Sequence, residues 1–267
     1  RSMEQQEEKI EIVVNTRKTK EIRFYVYADE CTVDWGDGSR ECYATPKPGI
    51  EDSDYWRTPK RPYCEHSYRG VNRVVTVTVS ATRLSEFIIE HIPVTSVRIR
   101  DCVHLGHFFC IDCGLRQLYL GDSPRLYYLK CSCNNLRKLD LSGCSGLMGL
   151  ECDCNYLTEL NLSRCFKLHT LACRFNRLKK LRVVEGAEKI HTVKCCYNDL
   201  SAKELNRLFR DVTWFVDFGC IDYGLNPGAS EANRFWLDEH CWHITNCYME
   251  KKTERILQDA GKCRKEN

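Results

Sequence analysis

The chain has 267 residues, 40 of them basic and 37 acidic, for a formal net charge of +3. So even a balance offers no basic field of the kind nucleic acid demands, and no run of eighteen apolar residues is present to cross a membrane as a helix. The length exceeds a typical single domain and accommodates two units and a cap.

In chain order, Arg1-Ser2-Met3 and the charged run Glu4 to Glu8 read as what remains after a removed leader, so 1–8 is expected to be a tether rather than fold. Residues 9–82 then carry the pattern of a small β-sandwich. Lys9 to Val14, Glu21 to Ala28, Cys31 to Trp35 and Arg73 to Ser80 alternate apolar and polar side chains, as antiparallel strands with one buried face do. Asp34-Trp35-Gly36-Asp37-Gly38-Ser39 separates two of them, its glycines supplying the positive φ of a tight turn. Asp34 and Asp37 lack the alternating ligand series of a calcium loop and are assigned to the turn. Tyr43 to Tyr63, with four prolines, is an irregular excursion before His66-Ser67-Tyr68.

Val33 to Gly38, His66-Ser67-Tyr68 and Val75-Thr76-Val77-Thr78-Val79, in that order, resemble the PKD domain, an immunoglobulin-like sandwich of extracellular proteins. The resemblance covers 9–82. The proline-bearing insertion and Cys31, Cys42 and Cys64 depart from that family's pattern.

Residues 84–210 repeat. Apolar residues recur at Leu84, Leu105, Leu126, Leu147, Leu168 and Ile190, and three positions on at Phe87, Phe108, Leu129, Leu150, Leu171 and Val193, a 21-residue period broken at one step. The next inward site holds Ile89 and then Cys110, Cys131, Cys152, Cys173 and Cys195; three further come Ile92, Cys113, Asn134, Asn155, Asn176 and Asn198. This frame resembles the leucine-rich repeat with cysteine in one leucine site, predicting a solenoid of about six coils. No copy can bury its apolar face alone, so stacking should make ladders of Leu on Leu, Cys on Cys and Asn on Asn. The Leu-x-Cys stretch alternates with period two and predicts a short strand in a parallel sheet, taken as the concave one, although the second half of each coil also alternates. The asparagines are expected to turn the chain and satisfy backbone groups at the bend.

Nineteen cysteines raise the questions of disulfides and metal. Those on the ladder are expected to be buried, unpaired hydrophobes, although neighbouring coils lie close enough for a bridge such as Cys133 to Cys154. Cys110 and Cys113 form a C-x-x-C without a second pair, and His169 and His191 share one position, so no metal or other cofactor is predicted. A Cys196 nucleophile with His191 as base is the one enzymatic alternative, disfavoured because Cys196 falls at an outward strand position. No G-x-S-x-G, H-E-x-x-H or P-loop is present.

Residues 211–267 read as a cap and tail. Ser201-Ala202-Lys203-Glu204 is a capping box opening a helix with Leu205, Leu208 and Phe209 on one face. A strand over Trp214 to Asp222, a turn at Asn226-Pro227-Gly228, a helix near Glu231 to Leu237, a last strand at His243-Ile244 and a charged helical tail from Lys251 should follow. A PKD-like unit running into these coils is similar to the surface leucine-rich repeat proteins of gut-dwelling anaerobic bacteria. That resemblance implies an exported or surface-held, non-enzymatic binder of a protein or glycan, with room for a lipid anchor upstream; a structural spacer or a cysteine-based or metal-thiolate protein is the alternative. The outward residues Tyr128, Lys130, Glu151, Asp153, Arg174, Phe175, Lys194 and Tyr197 are the candidate contact surface.

Overall fold

The computed structural model describes residues 7–43, 63–184, 190–214 and 216–245. Most of the expected proline-bearing excursion, residues 1–6 and the charged tail lie outside them.

The first part of the chain supplies β1 (Glu8–Asn15), β2 (Glu21–Tyr27), β3 (Glu30–Asp34), β4 (Arg40–Tyr43), β5 (Tyr63–Ser67) and β6 (Val74–Thr82). The repeats supply β7 (Glu86–Glu90), β8 (Ser96–Arg100), β9 (His107–Ile111), β10 (Gln117–Tyr119), β11 (Tyr128–Lys130), β12 (Gly149–Glu151), β13 (Glu159–Asn161), β14 (Thr170–Ala172), β15 (Lys180–Arg182) and β16 (Thr192–Lys194). After them come α1 (Ala202–Thr213), β17 (Cys220–Asp222), α2 (Phe235–Glu239) and β18 (His243–Ile244).

The alternation in β1, β2, β3 and β6 buries every second residue, and the buried sets face each other across two sheets. Trp35 lies fully buried between them, stacked on His66 with ring centroids 4.9 Å apart and 5.6 Å from Phe24. The Tyr68 hydroxyl donates to the Trp35 carbonyl at 2.9 Å. In the turn, Gly36 has φ +76°, and a Cβ there would meet the Thr76 carbonyl oxygen at 2.4 Å, so only glycine fits. Asp34 Oδ1 accepts from the Gly36 N–H at 3.0 Å, while Asp37 accepts from Ser39 and lies 2.7 Å from His66 Nε2. Both carboxylates thus build the turn.

Both sheets of the sandwich continue into the coils. One has the order β10-β8-β1-β6-β3-β4; the other has the order β18-β17-β16-β14-β12-β11-β9-β7-β2-β5. The antiparallel strand β2 pairs with β7, placing Val26 opposite Phe87, and from there the parallel register runs Phe87, Phe108, Leu129, Leu150, Leu171, Val193, Ile221, Ile244. All but the last are buried. The expected division between residues 82 and 84 therefore does not separate two packed bodies: one hydrophobic cluster runs from Ile10 to Trp242.

Three sequence expectations are corrected. Glu8, assigned to a tether, is buried in β1; its carboxylate accepts from the Leu84 N–H at 2.5 Å and the His104 N–H at 2.9 Å, clamping the first strand to the first coils. Among the described residues, the strand expected over Trp214 to Asp222 is Cys220–Asp222, where the chain comes back into register with β16 after α1. The turn asparagine of Asn226-Pro227-Gly228 is a ladder residue. Its amide bonds the Leu200 N–H and the Cys195 and Tyr223 carbonyls, as the other ladder asparagines do, so the frame runs one coil beyond the residue 210 boundary. The Leu-x-Cys-x-x-Asn half carries the long sheet, whereas the other half holds the separate pair β13-β15 and the β8-β10 extension of the first sheet.

Candidate functional site

Each coil turns out of the sheet through a residue in the left-handed region. His91, Asp112, Cys133, Cys154, Phe175, Tyr197 and Leu225 all have φ between 52° and 60°, and none is glycine. This conformation costs an L-residue about 1–2 kcal/mol. At Cys133, Cys154, Phe175, Tyr197 and Leu225 the following asparagine offsets it. Asn155 Nδ2 donates to the carbonyls of Cys131 at 2.9 Å and Cys152 at 3.1 Å, while its Oδ1 accepts from the Leu136 N–H at 3.0 Å; Asn134, Asn176 and Asn198 repeat the arrangement. The cysteine ladder lies beneath, fully buried at Cys110, Cys131, Cys152, Cys173 and Cys195. Burial raises the Cys131 thiol to about 12 and pushes Cys152 and Cys173 well up, so these thiols stay protonated.

Among the described residues sixteen cysteines are thiols, Cys133 and Cys154 included, and Cys196 is in a disulfide. Cys196 is also buried, so its expected outward placement is corrected. No group of three or more metal-ligating side chains occurs among the described residues. His169 and His191 sit with ring centroids 5.7 Å apart.

The outer face of the long sheet follows from the strand register. One column runs Glu86, His107, Tyr128, Gly149, Thr170, Thr192, Cys220; the next runs Ile88, Phe109, Lys130, Glu151, Ala172, Lys194, Asp222. Tyr128 is 39% exposed and lies parallel to His107 at 5.4 Å. A Cβ on Gly149 would meet the Tyr128 ring at 2.7 Å, so glycine on the next strand is what lets that ring lie across the sheet. Lys130 places its ammonium 5.2 Å from the Phe109 ring centre and 3.1 Å from the exposed Glu151 carboxylate.

The candidates around Asp153 behave differently from the expectation. Asp153 is buried, not part of the contact surface, and Arg174 is nearly so. The Arg174 guanidinium donates to Asp153 Oδ2 through Nη2 at 2.6 Å and Nε at 3.0 Å, while the Arg174 backbone N–H donates to Oδ1 at 2.7 Å. Burial raises the Asp153 carboxyl, and Arg174 offsets this only in part. The pair staples two coils. Phe175 and Tyr197 stack at 4.2 Å on successive left-handed positions, half-buried. Lys194 is exposed and in register with Asp222.

Asp222 escaped the sequence reading. It is 3% exposed, its Oδ1 has no hydrogen-bond partner among the described residues, and burial raises its carboxyl despite the Gly224 N–H, Arg174 and Lys194. The signal was present: Ile221-x-Tyr223-x-x-Asn226 repeats the spacing of Val193-x-Cys195-x-x-Asn198. His107 and Phe109 were also missed, because their coil carries cysteine in place of asparagine. The face therefore unites exposed Tyr128, Glu151 and Lys194 with half-buried Lys130, Phe175 and Tyr197, over a buried Asp153, Arg174 and Asp222 layer.

No family model matches the sequence, and no curated protein matches it. Among solved structures, the functional domain of InlJ from Listeria monocytogenes, which includes a cysteine ladder, is 22% identical with a TM-score of 0.38, over 52% of this chain and 34% of that one. The leucine-rich repeat domain of APL1 is 17% identical with a TM-score of 0.40, over 54% of this chain and 44% of that one. The chain thus spans about a third and under half of these two structures. Its own stacked register and asparagine ladder make it a β-rich protein of leucine-rich-repeat-like fold.

Proposed function

We propose that the chain is a non-enzymatic binding protein, exported or held at a cell surface, that engages a protein or glycan through the outer face of its long sheet. The observation that carries this reading is the difference between the two faces. Inward positions are fixed as Leu, Cys and Asn ladders, whereas the outer columns change chemistry from strand to strand while keeping aromatic surface at His107 and Tyr128 beside Lys130, Glu151 and Lys194. Aromatic rings give large contact area at low entropic cost, and mixed charges around them set partner choice. The resemblance of residues 9–82 to a PKD domain and of the whole to bacterial surface repeat proteins supports the placement outside the cell. The buried, protonated ladder thiols support a structural rather than catalytic use of cysteine.

The test is a screen of host proteins and glycans against the intact chain, repeated with Tyr128→Ala and Lys194→Glu. A ligand whose affinity drops at least tenfold in both variants supports the sheet face. Hits that ignore both changes overturn it, and substrate turnover by the intact chain overturns the non-enzymatic reading.

A further inference from the structure

Away from the sheet face, α1 and α2 enclose an open groove of about 640 Å³ lined by Lys203, Asn206, Arg207, Arg210, Asn233 and Trp236, with Glu204 at its edge. Lys203, Arg207 and Arg210 fall at i, i+4 and i+7, so they form one exposed stripe opposite the buried Leu205, Leu208, Phe209 and Val212. The local acids do not neutralise this stripe. Glu204 is held by both terminal nitrogens of Arg182, and that bond draws its carboxyl below the usual range. Asp211 is a single carboxylate, 3.2 Å from Arg210 and 3.7 Å from Arg207, and Lys203 has no ion-pair partner among the described residues. The groove keeps a net positive charge.

Trp236 of α2 lines its opposite wall. The Trp236 ring lies 6.5 Å from Trp214 and 5.6 Å from Phe235. Trp214 is 56% and Phe235 54% exposed, and both lie beside the groove rather than in its lining. The Asn233 N–H donates to Asn206 Oδ1 at 2.6 Å and ties the two walls together.

We infer that this groove binds an acidic carbohydrate, a short run of sugar rings carrying carboxylates or sulfate esters. A guanidinium pair and an ammonium on one stripe suit such anions, and the apolar C–H face of a sugar ring packs on an indole. The size decides against a protein: a standard protein partner needs roughly 800 Å² of surface on each side, whereas a volume of this order encloses a small ligand. The chain's own segment 246–267 has six basic and four acidic residues, so charge does not favour it as the occupant.

Calorimetric titration of the intact chain with tetragalacturonate, its methyl ester, a heparin-derived tetrasaccharide and a tetraglutamate peptide tests this. At least one acidic oligosaccharide should bind, the methyl ester and tetraglutamate at least tenfold more weakly. Arg207→Gln with Arg210→Gln, both on the exposed stripe, should weaken binding at least tenfold, as should Trp236→Ala in protein of unchanged secondary structure. Tyr128→Ala should leave binding unchanged, which separates this site from the sheet face. The inference is overturned if neither acidic oligosaccharide binds, if tetraglutamate binds as tightly, or if the double arginine variant retains full affinity.

Discussion

At the scale of single residues, the ladder asparagines carry more than their size suggests. Asn155 satisfies the Leu136 N–H and the carbonyls of Cys131 and Cys152 in a site from which water is excluded. Asn155→Ala should cost about 2–4 kcal/mol in urea denaturation, because each buried backbone group left without a partner forfeits about 1–3 kcal/mol. Leu225 makes the opposite case. It is 55% exposed at φ 56°, so Leu225→Gly removes left-handed strain with little loss of packing and should stabilise by on the order of 1 kcal/mol. Two carboxyls titrate with opposite signs. Burial opposes ionisation of Asp37, but Ser39 and His66 outweigh it and hold its carboxyl at about 2 against 3.8; its stabilisation is present above pH 3.8 and is lost as pH falls towards 2. Asp222 is raised by burial, so the folded state binds the proton more tightly and stability declines as pH rises from 3.8 through the folded value. Asp222→Asn should flatten that decline and gain on the order of 1 kcal/mol at pH 7, read from denaturation curves across pH 3–7. The asparagines were legible because their period is regular; the burial of Asp153 was not, since alternation assigns a side chain to a face but not the depth to which Arg174 covers it.

At the scale of elements, β1 is held at one end by Glu8 and β12 is shaped by Tyr128. Glu8→Ala strips the buried Leu84 N–H and the part-buried His104 N–H of their acceptor and should cost about 2–4 kcal/mol, with Glu8→Gln recovering part of it. Gly149→Ala should disturb the sheet face while sparing the core, because the added methyl meets the Tyr128 ring and, less closely, the Thr170 hydroxyl, all on that face. A change in tyrosine fluorescence or in aromatic NMR shifts, with a small change in stability, is the expected readout. The four alternating strands of the first part were readable to within a residue or two, since each buries one face. Glu8 was not, because its value comes from Leu84 and His104, far away in sequence. The place of β17 in the repeat frame was hidden by the 20 residues that intervene between Leu200 and Ile221, a gap filled mostly by α1.

At the scale of the whole molecule, the two sheets make the sandwich and the coils one body. Calorimetry should show a single transition, and a fragment beginning at residue 84 should fail to fold with native stability, having lost the strand against β7 and the Glu8 clamp. Two separate transitions would contradict the continuity of the sheets. That β2 is antiparallel to a parallel stack has a consequence for assembly. A parallel stack ending at β7 would display a row of unpaired backbone groups and an apolar end at Phe87, a template on which the far end of another copy could grow. β2 covers that end and β5 pairs with β2 in turn, so the backbone edge of β7 is satisfied within the molecule. The row of coils, which the repeat pattern alone would let a second copy extend, is thereby closed at β7, and the sandwich acts as a stop against polymerisation from that side.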